Sequence, residues 1–317
     1  MTKSTNKEIL FYYESRQNPN GDPGFENQPR LMPDDTILVT DVRIKRTIRD
    51  YARDALGETL FVDYDKEGNA VTADQRAKEI IGNMKGKDVI AELLQLTFDA
   101  PLFGALVTVR SEKGEDGSSG DSHKLTGPVQ FGLGRSVNKV RVINPTISGR
   151  FVGKKNEGQE KQYSTFGKFY SVEYALLKIH GAINPMNLGK YYTNDRARSR
   201  FEKVEEKLFE CLWKGTNNLI TRSKFPQRSI LYIEVSYDSA SYNDLPVLVD
   251  ESPELKQYAS GLSKSPFNFG RLVGALVDRK PRVKNVRIAS CDDIREDVKS
   301  LMSQLRSKGV PAQEIEC

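Results

Sequence analysis

A chain of 317 residues with 38% hydrophobic content has enough apolar material to bury one large core or two modest ones. No apolar run approaches the roughly 20 residues that cross a bilayer, and Met1 to Glu8 contain no apolar signal core, so no membrane association and a cytoplasmic protein are expected. The net charge of +5 is unevenly held: residues 1–123 carry 16 Lys/Arg against 22 Asp/Glu, residues 124–200 carry 14 against 4, and residues 201–317 carry 18 against 17. A middle third this basic in an otherwise balanced chain points to a localised surface for a polyanion.

In chain order, residues 8–15 hold Ile9, Leu10, Phe11, Tyr12 and Tyr13 and read as a buried first strand. The strand runs into Asn18-Pro19-Asn20-Gly21-Asp22-Pro23, where two prolines fix φ, Gly21 can take positive φ, and the Asn and Asp side chains can bond their own backbone. Such a loop turns tightly and presents amides outward. Residues 40–53 form a helix capped by Thr40 or Asp41, with Ile44, Ile48, Tyr51, Ala52 and Ala55 in one apolar stripe and Arg46, Arg49 and Arg53 on another face. A helix so divided can turn cations toward phosphate. A solvated amphipathic helix is the simpler reading of the same pattern.

Two further helices are expected over 72–85 and 88–98, the first with a Thr72/Gln75 capping box, and together they make a helical insert over 57–100. Residues 101–109 read as a second strand and 111–122 as a Gly-, Ser- and acid-rich loop. Strand segments are expected at 129–131 and 137–143, a long loop at 149–168, a strand from 174, a helix over 194–213 with Trp213 in the core, and a strand over 229–235. Strand, helix, strand, strand, helix, strand is the ferredoxin-like, RRM-like order. The expectation is therefore an α+β chain with one such βαββαβ core domain over 1–317. Residues 236–317 form a C-terminal extension packing on that core, its last helix falling within 292–307. The RNP1 aromatic pattern is missing, so base stacking on the sheet is not the expected mode of RNA binding.

Catalytic chemistry has little support. His123 and His180 are the only histidines and neither has a Cys, Ser or carboxylate at catalytic or ligand spacing; His180 reads as structural. Gly132-Leu133-Gly134 lacks the Gly-Lys-Ser/Thr of a phosphate loop. Cys211, Cys291 and Cys317 lie far apart without paired spacing, which suits neither a disulfide framework nor a zinc site. No metal or other cofactor is expected. Asp22, Asp34 and Asp35 in and beyond the turn loop keep one enzymatic alternative open, a metal-dependent endoribonuclease. Asp22 is also adequately explained as a turn former.

The segments Asn18 to Pro23, Asn27-Gln28-Pro29-Arg30 and Val39 to Arg49, followed by Gly127-Pro128-Val129-Gln130-Phe131, Gly134-Arg135-Ser136, Tyr174-Ala175-Leu176, His180-Gly181 and Leu212-Trp213-Lys214-Gly215, resemble the CRISPR Cascade backbone subunit, the seventh Cas protein superfamily. Within it the chain is most similar to the type I-B and I-C branches, over residues 8 to 235. The resemblance implies a non-catalytic subunit that polymerises head to tail along a crRNA, holds its backbone, supports pairing with target DNA and joins other Cascade subunits. By position it implies Asn18, Asn20 and Gly21 lining the guide, Lys45, Arg46 and Arg49 facing phosphate, and Gln130 with Arg135 contributing from the central strand. Arg222 and Lys224 are weaker candidates for the same groove. It also implies a thumb, assigned to 149–168 with Phe151 as wedge and Lys154, Lys155 and Lys161 as its charge; residues 111–123 compete for that role. A generic single-stranded RNA-binding protein is the second alternative.

Overall fold

The computed structural model of the protein describes residues 5–82, 87–109, 121–149, 165–238 and 240–316. The first half contains β1 (Thr5–Ser15), β2 (Gly21–Asp22), β3 (Gln28–Leu31), β4 (Ile37–Val39), α1 (Asp41–Asp54), α2 (Ala73–Ile81), α3 (Val89–Leu96), α4 (Asp99–Phe103), β5 (Gly104–Val109), β6 (Asp121–Thr126), β7 (Val129–Phe131) and β8 (Gly134–Ser136). Next come the short strands β9 (Val142–Ile143), β10 (Thr146–Gly149), β11 (Thr165–Lys168) and β12 (Ser171–Val172), then β13 (Ala175–Ile183), α5 (Asp195–Glu206), α6 (Leu208–Asn217) and β14 (Gln227–Asp238). The chain closes with α7 (Leu245–Leu248), β15 (Asp250–Glu251), β16 (Phe267–Asn268), α8 (Gly270–Asp278), β17 (Val283–Ser290), α9 (Arg295–Ser307) and β18 (Ala312–Glu314).

The fold is mixed α+β around one large sheet of order β18-β17-β14-β1-β13-β8-β4-β3-β2, with β7 also paired to β13. β17 and β18 run parallel, while the pairs made by β1, β13 and β14 are antiparallel. Strand β1 is paired on both edges, between β13 and β14, with Phe11 opposite Ile179 and Tyr232, and buried on both faces by the helices packed on each side. Its side chains alternate between two cores, as the period of two along a strand requires. Ile9, Phe11 and Tyr13 join Ile44 and Ile48 of α1 and Leu212 and Trp213 of α6, whereas Leu10 and Tyr12 join Leu272, Val273 and Leu276 of α8 and Val298, Leu301 and Leu305 of α9. The sheet is thus covered on both sides, and Trp213 is core as expected.

Several elements differ from the sequence expectation. Residues 101–109 are not one strand: Pro101 lies in α4, where a proline in the first turn forfeits no helical hydrogen bond, and the strand begins only at Gly104. Gly104 has φ +86° and an added Cβ there would sit 2.2 Å from the Leu125 carbonyl oxygen, so the corner requires glycine. The resulting β5 pairs with β6 in a separate hairpin outside the main sheet, and His123, expected in a loop, lies in β6. The helix expected over 194–213 is two helices divided at Lys207. At the ends of the segment 149–168, Thr146–Gly149 pairs with Thr165–Lys168, and the residues between, with Phe151, Lys154, Lys155 and Lys161, lie outside the described residues. Residues 111–120 of the competing segment lie outside them as well. Among the described residues no helix is long and apolar enough to cross a membrane.

Candidate nucleic-acid interface

The turn loop and α1 are joined by Asn20. Its side-chain oxygen accepts from both the amide (2.8 Å) and the hydroxyl (2.9 Å) of Thr40, and the Thr40 hydroxyl oxygen in turn accepts from the Arg43 amide at 3.3 Å as the helix N-cap. The loop is therefore tied to the start of the helix. Asn18 is 3% exposed; its side-chain amide donates to the Asn27 carbonyl at 2.6 Å, and its side-chain oxygen has no partner among the described residues. A Cβ on Gly21 would meet the Asn27 oxygen at 2.7 Å, so only glycine lets the two arms of the loop approach this closely. Asn18, Asn20 and Gly21 are brought together, with the two asparagines bonded into the loop and its junction with α1.

The cations expected on α1 divide sharply. Arg49 is 8% exposed and its Nε lies 2.7 Å from Asp99. Arg49, expected to face phosphate, meets Asp99 of α4 in the interior, and the same carboxylate accepts from the Phe61 and Val62 amides at 2.6 and 3.0 Å. Arg46 pairs with Asp50 at 2.5 Å, and Arg53 binds Asp54 and Asp63. Lys45 donates to Asp41 (3.2 Å) and to the Gln130 side chain (3.1 Å), which brings two expected residues together across α1 and β7. Arg135 on β8 pairs with Asp34 and donates to the Thr36 hydroxyl. These side chains carry positive charge that neighbouring carboxylates largely neutralise.

Sequence reasoning missed Arg43, because its spacing along α1 does not distinguish it from the neighbouring cations. Arg43 donates to the Thr47 hydroxyl at 2.9 Å, and burial pulls its pKa below the ordinary arginine value. Opposite lies Lys224, whose ammonium donates to the Asn18 carbonyl at 2.8 Å. Burial, and then the charge of Arg43, push the Lys224 pKa down to about 8. Arg222 is exposed and lies over the Phe169 ring at 5.4 Å, and Arg16 lies over Tyr174 at 5.1 Å while its amide donates to Pro226. Phe25 (70%), Ile220 (71%) and Phe225 (53%) expose apolar side chains in the loop and the 218–226 turn. Charge, backbone amides and exposed apolar groups of this kind suit a flexible polyanion.

The carboxylates are each engaged. Asp22 accepts from the Gly24 amide (3.0 Å) and from Arg30 (2.7 Å), Asp34 from Thr36 and Arg135, and Asp35 from the Tyr258 hydroxyl (2.8 Å). Among the described residues no group of three or more His, Cys, Asp and Glu is placed to hold a metal ion. His180 lies 2.8 Å from buried Glu8, which also accepts from the Leu245 amide.

The family model of CRISPR-associated protein Cas7 matches residues 5–262. A Cas7 protein of Haloferax volcanii is 29% identical over 264 residues, covering 77% of this chain and 74% of the relative. Among solved structures, a chain of a CRISPR RNA-guided surveillance complex is 10% identical with a TM-score of 0.46, covering 91% of this chain and 90% of that one. A chain of a pre-nicking surveillance complex is 11% identical with a TM-score of 0.44, covering 91% and 93%.

Proposed function

The chain belongs to the Cas7 family of CRISPR-associated proteins, and from that membership we propose that it is the backbone subunit of a type I Cascade complex, working in the cytoplasm. Copies of it stack head to tail along one crRNA, bind the guide by its backbone and leave the bases free to pair with target DNA. Other Cascade subunits complete the assembly. A heterologous interface of this kind makes an open helical array whose length the RNA sets.

The observation that carries the reading is the set of cations at the base of the turn loop, Arg16, Arg43, Arg222 and Lys224, of which Arg43 and Lys224 are partly buried with hydrogen bonds only to a hydroxyl and a carbonyl among the described contacts. Holding a guide calls for backbone contacts and not for base-reading pockets. Asn18, Asn20 and Gly21 shape the loop, and Lys45 and Arg46 of α1, Gln130 of β7 and Arg135 of β8 supply further charge and polarity. The tip of 149–168, with Phe151, Lys154 and Lys155, is the thumb in this reading. The order β14-β1-β13-β8, with α1 and α6 on one face, supports a ferredoxin-like core, to which residues 57–100 add a helical insert and residues 236–317 an extension. The subunit binds and does not cut, since Asp22, Asp34 and Asp35 act as turn and ion-pair partners.

Mixing the purified protein with guide RNAs of increasing length tests this by electron microscopy. Arrays should lengthen in step with the RNA, and complementary RNA added with magnesium should stay intact. Regularly spaced cuts would establish the nuclease instead, and binding without ordered arrays the generic RNA binder.

A further inference from the structure

A cavity of about 430 Å³ opens beside β8 and β13 on one face of the main sheet. Leu176 packs into the core covered by α8 and α9, so Lys178 and His180, two and four residues further along β13, face the same way. Arg135 stands opposite Lys178 in the pairing of the two strands, and Lys139, Lys256 and the exposed Leu133 complete the lining. Two of these cations are neutralised inside the chain: Lys178 meets Glu251 at 2.6 Å, and Arg135 pairs with Asp34. Lys139 lies over the Tyr258 ring at 5.9 Å, and among the described residues neither it nor Lys256 has a carboxylate partner. The cavity therefore holds unbalanced positive charge beside apolar side chains.

The opposite charge lies on the other face of the sheet. Val62-Asp63-Tyr64-Asp65-Lys66-Glu67 follow Phe61, which packs in the core beneath α1, and they carry three carboxylates against one lysine. Asp65 fixes this turn: its carboxylate accepts from the Glu67 and Asn69 amides at 3.0 and 2.7 Å, and its own amide donates to the Asn69 carbonyl at 3.0 Å. Tyr64 stays 52% exposed although the Arg46 guanidinium lies 5.8 Å from its ring centre. The Glu67 carboxylate has no cation partner among the described residues. An aromatic side chain held on a fixed turn can anchor an interface with little further ordering cost.

We propose that the 62–67 turn of one copy seats in the Lys139/Lys256 cavity of the next, with Tyr64 against Leu133 and Glu67 toward the two lysines. The turn and the cavity lie on opposite faces of the sheet, so each copy offers one to each neighbour, and repetition gives an open heterologous stack. The inference rests on the head-to-tail reading and deepens it by naming the surfaces that join. Apolar lining and a turn of opposite sign on the same chain favour a second copy over nucleic acid as the occupant of the cavity.

Two variants test this, Tyr64→Ala/Glu67→Lys in the turn and Lys139→Glu/Lys256→Glu in the cavity, with mass photometry on a long guide RNA as the readout. Each variant alone should bind the shortest RNA that holds one copy as the wild type does, and should lose the multi-copy arrays on the long RNA. Mixed in equal amounts, they leave one intact turn facing one intact cavity, so discrete two-copy complexes should appear and nothing longer. Wild-type arrays from either variant alone, or a mixture that forms no pairs, overturn the contact and leave the head-to-tail reading intact. Weakened binding of the short RNA by a cavity variant with a normal urea midpoint overturns it too, because the cavity then meets nucleic acid. A folded wild type that forms no arrays on any RNA overturns the head-to-tail reading and the contact with it.

Discussion

Replacing Arg49 by alanine should strongly destabilise the protein without loosening the hold of its folded form on RNA. Arg49 lies in the interior, 2.7 Å from Asp99, with its guanidinium 5.0 Å from the Phe103 ring centre. Asp99 is fully buried and also fixes the Phe61 and Val62 amides, which follow the end of α1. Truncating one partner of a buried pair leaves the other as an uncompensated charge and destabilises by about 3–5 kcal/mol. That is a large part of the roughly 5–15 kcal/mol that holds a domain folded. Urea unfolding should show the loss as a lower midpoint with an unchanged slope, and the molecules that remain folded should bind guide RNA as the wild type does. A variant of normal stability with weakened RNA affinity would instead return Arg49 to the phosphate face.

The paired substitution Arg43→Gln/Lys224→Gln has the opposite profile. Burial of these two charges contributes little to stability, so the fold should be retained or slightly strengthened. RNA binding should weaken by about tenfold to a hundredfold, the range given by removing charge-assisted hydrogen bonds of roughly 1.5–3 kcal/mol. The dependence of log affinity on log salt should flatten by roughly 0.7 for each phosphate of a single strand that the protein no longer neutralises. Lys45→Gln should do much less, because Asp41 and Gln130 already hold that ammonium. Equal effects of the two changes would mean that neighbouring carboxylates do not decide which cations meet RNA.

The contrast between Arg49 and Arg43 shows where sequence reading stops. Residues 8–15, the Thr40 cap and the apolar stripe of α1 were legible because they depend on local pattern: a continuous apolar run, a hydroxyl before a helix, and Ile44, Ile48 and Ala52 at helical spacing. The two cores on either side of β1 follow from the alternation of its side chains. Which arginine of α1 is buried depends on Asp99, 50 residues away, and no periodicity along the helix reports that pairing. Lys224 was legible only as a weak candidate, since its partner Asn18 is 206 residues distant. The corner at Gly104 was misread for a related reason: an apolar run starting at Pro101 fits a strand, and only the opposing Leu125 carbonyl reveals the turn. The break at Lys207 has no Gly or Pro to announce it.

The central claim, that this Cas7 family chain holds a CRISPR guide by its backbone, is tested most directly by purifying the protein from cells that express a CRISPR array and sequencing the nucleic acid that comes with it. The account predicts discrete RNA of guide length carrying spacer sequence. Random cellular RNA, or protein free of nucleic acid, would contradict it.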